Sequence, residues 1–490
     1  MRLALFFAIF LHFPAYSTGK PNLVFFFVDD MGWQDTSVPF HRETTDLNRD
    51  YRTPHMEKLA ADGIKFTQAY ACAICSPSRV SLMTGMNAAR HRVTCWTLRK
   101  NVSPEGNHPK FKSQNWNLNG LQPTGAGVER SFEAETLPGL LRKAGYRTIH
   151  AGKAHFGAKD TPGADPSNLG FDVNIAGSYM GGPGSYHGDR NFSAEWRGGG
   201  KIWDIPGLEK YHAQKINLTE AITRESIAAV EQAVADEKPF YLYLSHYAVH
   251  APFEPDRRFI GNYADKDWPK HKKVYASMLE SMDRSLGDIR ATLERLGVAD
   301  QTIIVFMADN GSPRNNPRNL PLRGHKITGW EGGTRVPLLV HWPQVTKPGT
   351  TTDTPVIIED IFPTFLEMTG TPTPENDGMS FTEVLRNPST DRSKRPLFWH
   401  SPNHYDQPPY SAVRLGDMKL IHWPAKRTVE LYDLSSDLGE THDIASKNPE
   451  RTQFLAKLLT DYLRDETDAL MPIDRETGES VPYPSEILSH

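Results

Sequence analysis

The chain is poor in cysteine, with three cysteines in 490 residues. A protein of this size with so few cysteines does not depend on a framework of disulfides, and the odd count leaves at least one thiol to be explained. Cys72 and Cys95 could form a disulfide, and Cys75 would then be the unpaired cysteine. The sequence does not decide whether they pair. Cys75 is therefore the cysteine to examine first.

Neither sign of charge dominates. The chain has 55 Lys and Arg against 59 Asp and Glu, a formal net charge of -4, and no long basic run. Proteins that bind nucleic acid by neutralising phosphates carry a basic surplus. We therefore expect no nucleic acid among the partners.

Long apolar runs are missing beyond the N terminus. Residues 1–19 have one positive charge at Arg2, an apolar run to Leu11, and small residues at Ala15 and Ser17. This pattern is typical of a secretory signal peptide, the alternative being a buried N-terminal strand. No later stretch approaches the roughly 18 apolar residues that a membrane helix needs. We expect a mature protein that is soluble, has no membrane span, and is periplasmic or extracellular.

Apolar runs that end in polar residues indicate the fold class. Residues 22–28 precede Asp29 and Asp30, residues 240–244 precede Ser245, and residues 302–307 lead to Asp309 and Asn310. Such runs are typical of central parallel strands, and apolar residues at helical spacing between Tyr275 and Leu296 predict a helix between the last two. The pattern predicts an α/β protein with a mostly parallel sheet sandwiched by helices.

The composition, 38% hydrophobic and 23% charged, supports a substantial core. We predict a catalytic α/β domain over residues 20–387. Short strand-like segments after residue 388, followed by a final helix over 451–467, predict a smaller C-terminal α+β subdomain over 388–490. Between them, residues 159–207 are rich in Gly, Pro, Asp and Ser, a long irregular excursion of the kind that is usually functional.

Polar residues at the ends of parallel strands converge at one edge of the sheet, where ligands bind. A single Asp or Asn after a strand is equally well explained as a turn residue or a helix cap. Asp29, Asp30, Asp309 and Asn310 offer only oxygen ligands, which suit a hard cation such as Ca²⁺ or Mg²⁺. Cys75 begins a segment that can start a helix with Pro77 in its first turn, where backbone N–H groups favour an anion. It is either a nucleophile facing an anionic group or a small buried residue.

The segment Cys75-Ser76-Pro77-Ser78-Arg79, with Thr84-Gly85 downstream, resembles the signature of type I sulfatases of the alkaline phosphatase superfamily. Further family motifs follow in the family's order and cover nearly the whole mature chain: Asp29-Asp30, Gly145-Tyr146-Arg147-Thr148, Gly152-Lys153-Ala154-His155-Phe156-Gly157, His250-Ala251-Pro252, Asp309-Asn310-Gly311, Leu322-Arg323-Gly324-His325-Lys326 and Glu331-Gly332-Gly333-Thr334-Arg335-Val336-Pro337. Ala154 and Phe156 depart from the family's usual residues and affect pocket shape only.

The resemblance implies an alkaline-phosphatase-like fold and a sulfuric ester hydrolase. It implies that a maturation enzyme converts Cys75 to formylglycine, and that one metal, most often Ca²⁺, is held by Asp29, Asp30, Asp309, Asn310 and residue 75. One hydroxyl of the hydrated aldehyde would attack sulfur, and the other would let the intermediate collapse. By resemblance, Arg79 and Lys153 activate the diol and His155 takes its proton. His250 and Lys326 bind sulfate and protonate the leaving alcohol.

The substrate is expected to be a sulfated saccharide. Segments 184–188 and 203–208 resemble carbohydrate sulfatases and suggest galactose-configured sugars in glycosaminoglycans or algal glycans, cleaved from chain ends. His187, Arg314, His400 and His404 are candidates to contact the sugar, with ordinary surface hydrogen bonding as the alternative for each. Two alternative functions stay open: a phosphonate monoester or phosphodiester hydrolase of the same superfamily, and a carbohydrate-binding pseudoenzyme.

Overall fold

The computed structural model describes residues 19–314 and 318–488. The predicted signal peptide lies, except for Gly19, outside the described residues. In chain order the strands of the described residues are β1 (Asn22–Val28), β2 (Ile64–Tyr70), β3 (Phe111–Lys112), β4 (Leu121–Gln122), β5 (Phe132–Glu133), β6 (Arg147–Gly152), β7 (Val173–Ile175), β8 (Phe240–Ser245), β9 (Thr302–Ala308), β10 (Arg335–His341), β11 (Thr350–Thr352), β12 (Val356–Ile357), β13 (Leu397–Ser401), β14 (Tyr410–Leu415), β15 (Met418–Trp423), β16 (Thr428–Asp433) and β17 (Ile473–Asp474).

The α-helices of the same residues vary from four to 26 residues in length. They are α1 (Asp46–Asp50), α2 (Pro54–Asp62), α3 (Cys75–Thr84), α4 (Ala88–His91), α5 (Leu137–Lys143), α6 (Leu218–Ala235), α7 (Lys270–Arg295), α8 (Glu331–Thr334), α9 (Ile361–Met368), α10 (Thr382–Arg386), α11 (Pro449–Asp461) and α12 (Pro484–Ile487). Within the described part of the chain, no helix is both long enough and apolar enough to cross a bilayer.

The main sheet has nine strands in the order β11-β2-β10-β9-β1-β8-β6-β7, with β12 also paired to β2. The strands β7, β6, β8, β1 and β9 run parallel, and β10 is antiparallel to both of its neighbours. Every residue of β1, β8 and β9 is buried. The continuous apolar runs of these strands follow from that, because both faces of the sheet are covered. The predicted mostly parallel α/β fold is confirmed.

A second sheet of four antiparallel strands, β13-β14-β15-β16, lies in the C-terminal part of the chain. Trp399, Ala412 and Ile421 belong to the core of the main sheet, whereas Val413, Leu420 and Leu431 form a second core with α11. The small sheet therefore joins α11 to the large domain, because alternate residues of a strand face opposite sides. The predicted smaller α+β region is confirmed, and its proposed boundary at 387 and 388 stays a prediction.

Candidate active site

The parallel pairing of β1 with β9 brings four predicted ligands together. Val28 pairs with Ala308, so Asp29-Asp30 and Asp309-Asn310 leave the same edge of the sheet side by side. The backbone N–H of Asp30 donates to Asp309 Oδ1 at 3.2 Å, and Asn310 Nδ2 donates to Asp30 Oδ1 at 2.8 Å. All four side chains are buried.

Cys75 is the first residue of α3 and is 3% exposed. Ligand atoms of Asp29, Asp30 and Cys75 all lie within 4.8 Å of one another. Lys326 Nζ lies 3.1 Å from Cys75 Sγ. Burial raises the pKa of the Cys75 thiol to about 11, although Lys153 and Lys326 act to lower it. The thiol of the unmodified chain is therefore neutral near pH 7.

Three cations face these acids. Lys153 Nζ donates to Asp29 Oδ2 at 2.6 Å, and Lys326 Nζ donates to Asp30 Oδ1 at 2.6 Å. The Arg79 guanidinium donates twice to Asp309 Oδ2, at 3.0 and 2.8 Å, and also to the carbonyl oxygen of Lys153. Each carboxylate thus has a cation of its own, which reduces the cost of burying charge.

The two aspartates after β1 differ in proton affinity. Burial raises the pKa of Asp29 well above its ordinary value, although Lys153 opposes it. Burial also acts to raise the pKa of Asp30, but the positive charge of Lys326 outweighs it, helped by His250 when that ring is protonated at low pH, and the pKa lies below its ordinary value. The charge around Asp29 is therefore incompletely balanced, whereas that around Asp30 is well balanced.

The two histidines present different nitrogen atoms to the site. His155 Nε2 lies 2.7 Å from the carbonyl oxygen of Thr97, so Nε2 carries the proton and Nδ1 is left as an acceptor. His250 Nδ1 lies 2.7 Å from the carbonyl oxygen of Ala251, and its Nε2 lies 3.8 Å from Asp30 Oδ2. Burial lowers the pKa of His155 far below its ordinary value and that of His250 to about 4. Both rings are neutral near pH 7.

Exposure shows where a substrate can enter. The side chains of Asp29, Arg79, Lys153 and Asp309 are 0% exposed, whereas that of Lys326 is 14% exposed and that of His250 is 26% exposed. The acids and Arg79 form the floor of the site, and Lys326 and His250 form its open side.

The residues fit a divalent cation. Asp29 Oδ1 and Asn310 Oδ1 are buried, and neither has a hydrogen-bond partner among the described residues. A buried acceptor without a partner is costly, so two such oxygens beside a carboxylate-rich floor call for a positive ligand. Oxygen donors of this kind favour a hard cation.

The four residues predicted to contact a sugar have contacts other than the residues of this floor. His187 is buried with Nε2 3.8 Å from Glu254 Oε1, and Arg314 is exposed and lies 4.0 Å from Asp406. His400 lies between Ser411 Oγ at 2.9 Å and the carbonyl oxygen of Leu470 at 3.2 Å, so both of its ring nitrogens are engaged.

The fourth predicted sugar contact, His404, lines a surface cavity of about 220 Å³. Its ring centroid lies 4.7 Å from that of His108, and Lys112 and Arg475 line the same cavity. In the described part of the chain, no hydrogen bond links any of the four predicted sugar contacts to the cluster around Cys75.

Two supporting residues were not among the predicted site residues. Ser245 Oγ accepts from Arg79 Nη1 at 2.7 Å, and it ends β8 as Asp29 follows β1, so the strand-end pattern could have found it. Glu254 is buried and accepts from Ser185 Oγ and from the N–H of Tyr186. No sequence pattern marks Glu254. All three cysteines are free and buried, so the disulfide left open between Cys72 and Cys95 is not formed.

Comparisons with known proteins agree with this geometry. A family model described as Sulfatase matches residues 21–371, and one described as N-sulphoglucosamine sulphohydrolase, C-terminal, matches residues 326–468. A protein named Sulfatase from Formosa agariphila is 30% identical, over 95% of this chain and 92% of that protein. Mouse N-acetylgalactosamine-6-sulfatase is 28% identical, over 85% of this chain and 75% of that protein. The solved structure of Ps i-CgsB superposes with a TM-score of 0.74 at 26% identity, covering 91% of this chain and 93% of that one.

Proposed function

The chain belongs to the sulfatase family and is a sulfuric ester hydrolase, and on that premise we propose that it removes sulfate from sulfated carbohydrates through a formylglycine formed from Cys75. One observation carries the proposal. Cys75 begins a helix at the floor of a buried site, with Lys326 3.1 Å from its sulfur and two aspartates within ligand distance. A maturation enzyme is the partner that this modification requires.

When hydrated, formylglycine supplies one hydroxyl group that attacks sulfur and a second that allows sulfate to leave. Asp29, Asp30, Asp309 and Asn310 would hold one Ca²⁺, or alternatively Mg²⁺, which supplies Lewis acidity toward the sulfate oxygens. The spare oxygens of Asp29 and Asn310 support this ligand set.

The cations of the chain bind and orient the substrate. Lys326 and His250 are on the open side of the site and therefore meet the sulfate first. Lys153 and Arg79 lie beneath, where their positive charge stabilises negative charge at residue 75. Binding of a sulfate ester carries a negative charge toward His250, and this favours the protonated ring that the leaving alcohol needs as a proton donor.

His155 serves as the proton acceptor. Its Nε2–H is committed to the carbonyl oxygen of Thr97, which fixes the ring and leaves Nδ1 free to take a proton. Burial keeps the ring neutral, as a base must be before it acts. Ser76 Oγ donates to the carbonyl oxygen of His155 and so ties the histidine to the helix that carries Cys75.

The substrate we propose is a galactose or N-acetylgalactosamine sulfate at the end of a glycosaminoglycan or algal glycan. The resemblance of segments 184–188 and 203–208 to carbohydrate sulfatases and the name of the mouse relative support this choice. We also propose export to the periplasm or the exterior through the signal peptide of residues 1–19, from the charge and apolar pattern of that segment.

The test uses protein whose Cys75 peptide carries formylglycine by mass spectrometry. Sulfate release is measured by ion chromatography from mono- and disaccharides that differ only in sugar and sulfate position. We expect release from one regioisomer of a galactose-configured sugar. Turnover of phosphonate or phosphodiester substrates alone would favour the related hydrolases. Binding of saccharide without release, in protein that carries the aldehyde, would favour a pseudoenzyme.

A further inference from the structure

Few large apolar side chains are exposed among the described residues, and the largest of them is Trp196. The set is Val102, Trp196, Phe253, Leu320, Met379 and Phe454. Trp196 as a whole residue is 46% exposed. Singly exposed apolar side chains are ordinary on protein surfaces, so Trp196 is informative only through the contacts that hold its ring.

Contacts fix the orientation of this exposed ring. Trp196 Nε1 donates to the carbonyl oxygen of Gly184 at 3.1 Å. The Arg190 guanidinium lies 4.1 Å from the ring centroid and covers one face. Arg190 is held in turn by an ion pair with the buried Glu254. A ring that is fixed at its edge and covered on one face presents its other face to solvent.

The loop that carries Trp196 lies against the catalytic histidines. A Cβ atom added to Gly181 would lie 2.5 Å from His155 Cε1, and one added to Gly182 would lie 2.7 Å from His250 Nδ1. Only glycine allows so close an approach. Tyr186 OH donates to the carbonyl oxygen of His250 at 2.8 Å. The indole is therefore hydrogen-bonded to Gly184, two residues along the loop from the glycine that packs against His250.

We propose that the free face of Trp196 is a stacking platform for a pyranose ring of the substrate, with Arg190 and Glu254 as positioning residues for the indole. This inference rests on the proposed function and adds a sugar subsite to it. Galactose-configured pyranoses carry the hydrogens of C3, C4 and C5 on one face, and this apolar patch matches a flat indole. The sulfate and the ring would then be recognised by separate groups.

Binding can be measured without turnover in the Cys75→Ala protein, using two probes. Inorganic sulfate occupies only the anion site, whereas a galactose-configured sulfated disaccharide occupies both the anion site and the platform. We expect Trp196→Ala to weaken disaccharide binding about tenfold in isothermal titration calorimetry and to leave sulfate binding unchanged. Trp196→Phe keeps a ring and should retain most of the affinity.

A matched control is available at Phe454. It is 51% exposed and has the Arg451 guanidinium 5.4 Å from its ring centroid, but it lies on α11. Phe454→Ala should change neither affinity. Unchanged disaccharide binding in Trp196→Ala overturns the platform, and so does Trp196→Phe binding as weakly as Trp196→Ala. If Cys75→Ala binds neither probe while folded, the proposed function fails instead.

Discussion

The protein has two buried clusters of charged side chains, which the chain segment from Lys326 to Glu331 connects. They differ in how their acceptor oxygens are paired. We call them the catalytic cluster and the interface cluster. The catalytic cluster consists of Asp29, Asp30, Asp309, Asn310, Arg79, Lys153 and Lys326, and the interface cluster of Glu331, Glu440, Lys419, Arg335 and Tyr70. Both are nearly sealed from water, and both contain acids paired with cations.

In the interface cluster every carboxylate oxygen lies near a donor, although Glu440 Oε1 is in ion-pair contact with Lys419 without hydrogen-bond geometry. Lys419 Nζ lies 2.9 Å from Glu331 Oε1 and 2.9 Å from Glu440 Oε1. Tyr70 OH and Arg335 donate to Glu331 Oε2, and the N–H of Glu331 donates to Glu440 Oε2 at 2.7 Å. Burial acts to raise the pKa of Glu331, but Lys419 and the two arginines nearby outweigh it and hold it at about 2, whereas burial raises the pKa of Glu440 to about 7 despite Lys419.

In the catalytic cluster two acceptor oxygens receive no hydrogen bond from the described residues. Asp29 Oδ1 and Asn310 Oδ1 have no partner among the described residues, and burial raises the pKa of Asp29 despite Lys153. The comparison teaches that the clusters differ in whether a cation faces the oxygen that lacks a hydrogen bond: Lys419 lies 2.9 Å from Glu440 Oε1, whereas Asp29 Oδ1 and Asn310 Oδ1 have no partner among the described residues.

The largest expected effect comes from Cys75, the proposed nucleophile beside the catalytic cluster. Cys75→Ala should lower sulfate release by at least about 10⁴-fold, because the reacting group is lost. The melting temperature should change by only a few degrees, since the side chain is small. Cys95→Ala is the control, because Cys95 is also a buried free thiol but packs with Trp116. Retained turnover in Cys75→Ala would contradict the mechanism.

The next largest effect should be on stability, from the interface cluster. Lys419→Met leaves Glu331 and Glu440 buried without their shared cation and should lower the free energy of unfolding by about 3–5 kcal/mol. Equilibrium unfolding in urea measures this change in the free energy of unfolding. The matched control is Lys457→Met, which breaks an exposed pair with Asp461 and should cost less than about 1 kcal/mol.

The folded fraction of Lys419→Met should still release sulfate, because Lys419 touches no catalytic group. Loss of activity at a temperature where the variant is fully folded would show that the two clusters do not act separately.

A smaller effect is expected from removing the side-chain oxygen of Asn310, which has no hydrogen-bond partner among the described residues. Asn310→Ala should weaken Ca²⁺ binding by about 10- to 100-fold, because it removes a ligand. The measurement is the rise in melting temperature that Ca²⁺ gives after chelation, together with activity. Asp283→Asn is the control: this buried carboxylate accepts only from the N–H groups of His55 and Met56. Equal sensitivity of Asn310→Ala and the native protein to Ca²⁺ would remove Asn310 from the ligand set.

Much of the fold could be predicted, because its central strands are marked by composition alone. The apolar run at residues 22–28 coincides with β1, and the runs at 240–244 and 302–307 fall one residue short of β8 and β9. β16 was not predicted, since it has few apolar residues and depends on its pairing with β15. The predicted final helix over 451–467 is α-helical only to Asp461 and continues as a π-helix, a change that side-chain periodicity does not show.

For the candidate site, the sequence predicted which residues meet better than it predicted what they do. That polar residues after β1 and β9 meet follows from parallel pairing, whereas their roles came from the family resemblance. His400 illustrates what could not be predicted. The apolar residues before it predict a strand, and it does lie in β13, but the sequence did not show that both of its ring nitrogens are engaged there. Which face of a strand a residue takes depends on register, and register depends on the partner strands.

The last expected effect appears only as a pH dependence and concerns Glu359, a buried carboxylate that belongs to neither cluster. Burial raises its pKa to about 8, with Asp360 and Asp377 adding to the shift and the hydrogen bond from Asn87 opposing it. An acid with a higher pKa in the folded state than in the unfolded state stabilises the fold fully below the unfolded value. That contribution is lost as the pH rises through about 8.

The native protein should therefore lose up to about 1.4 kcal/mol per pH unit from this group between pH 5 and 8. Glu359→Gln keeps the shape without the charge and should flatten that part of the curve. Free energies of unfolding measured across the range check this. Parallel curves for the two proteins would mean that Glu359 is ionised in the fold. A buried carboxylate that has no ion pair among the described residues would then be charged, unlike Glu331, whose charge depends on Lys419 and Arg335.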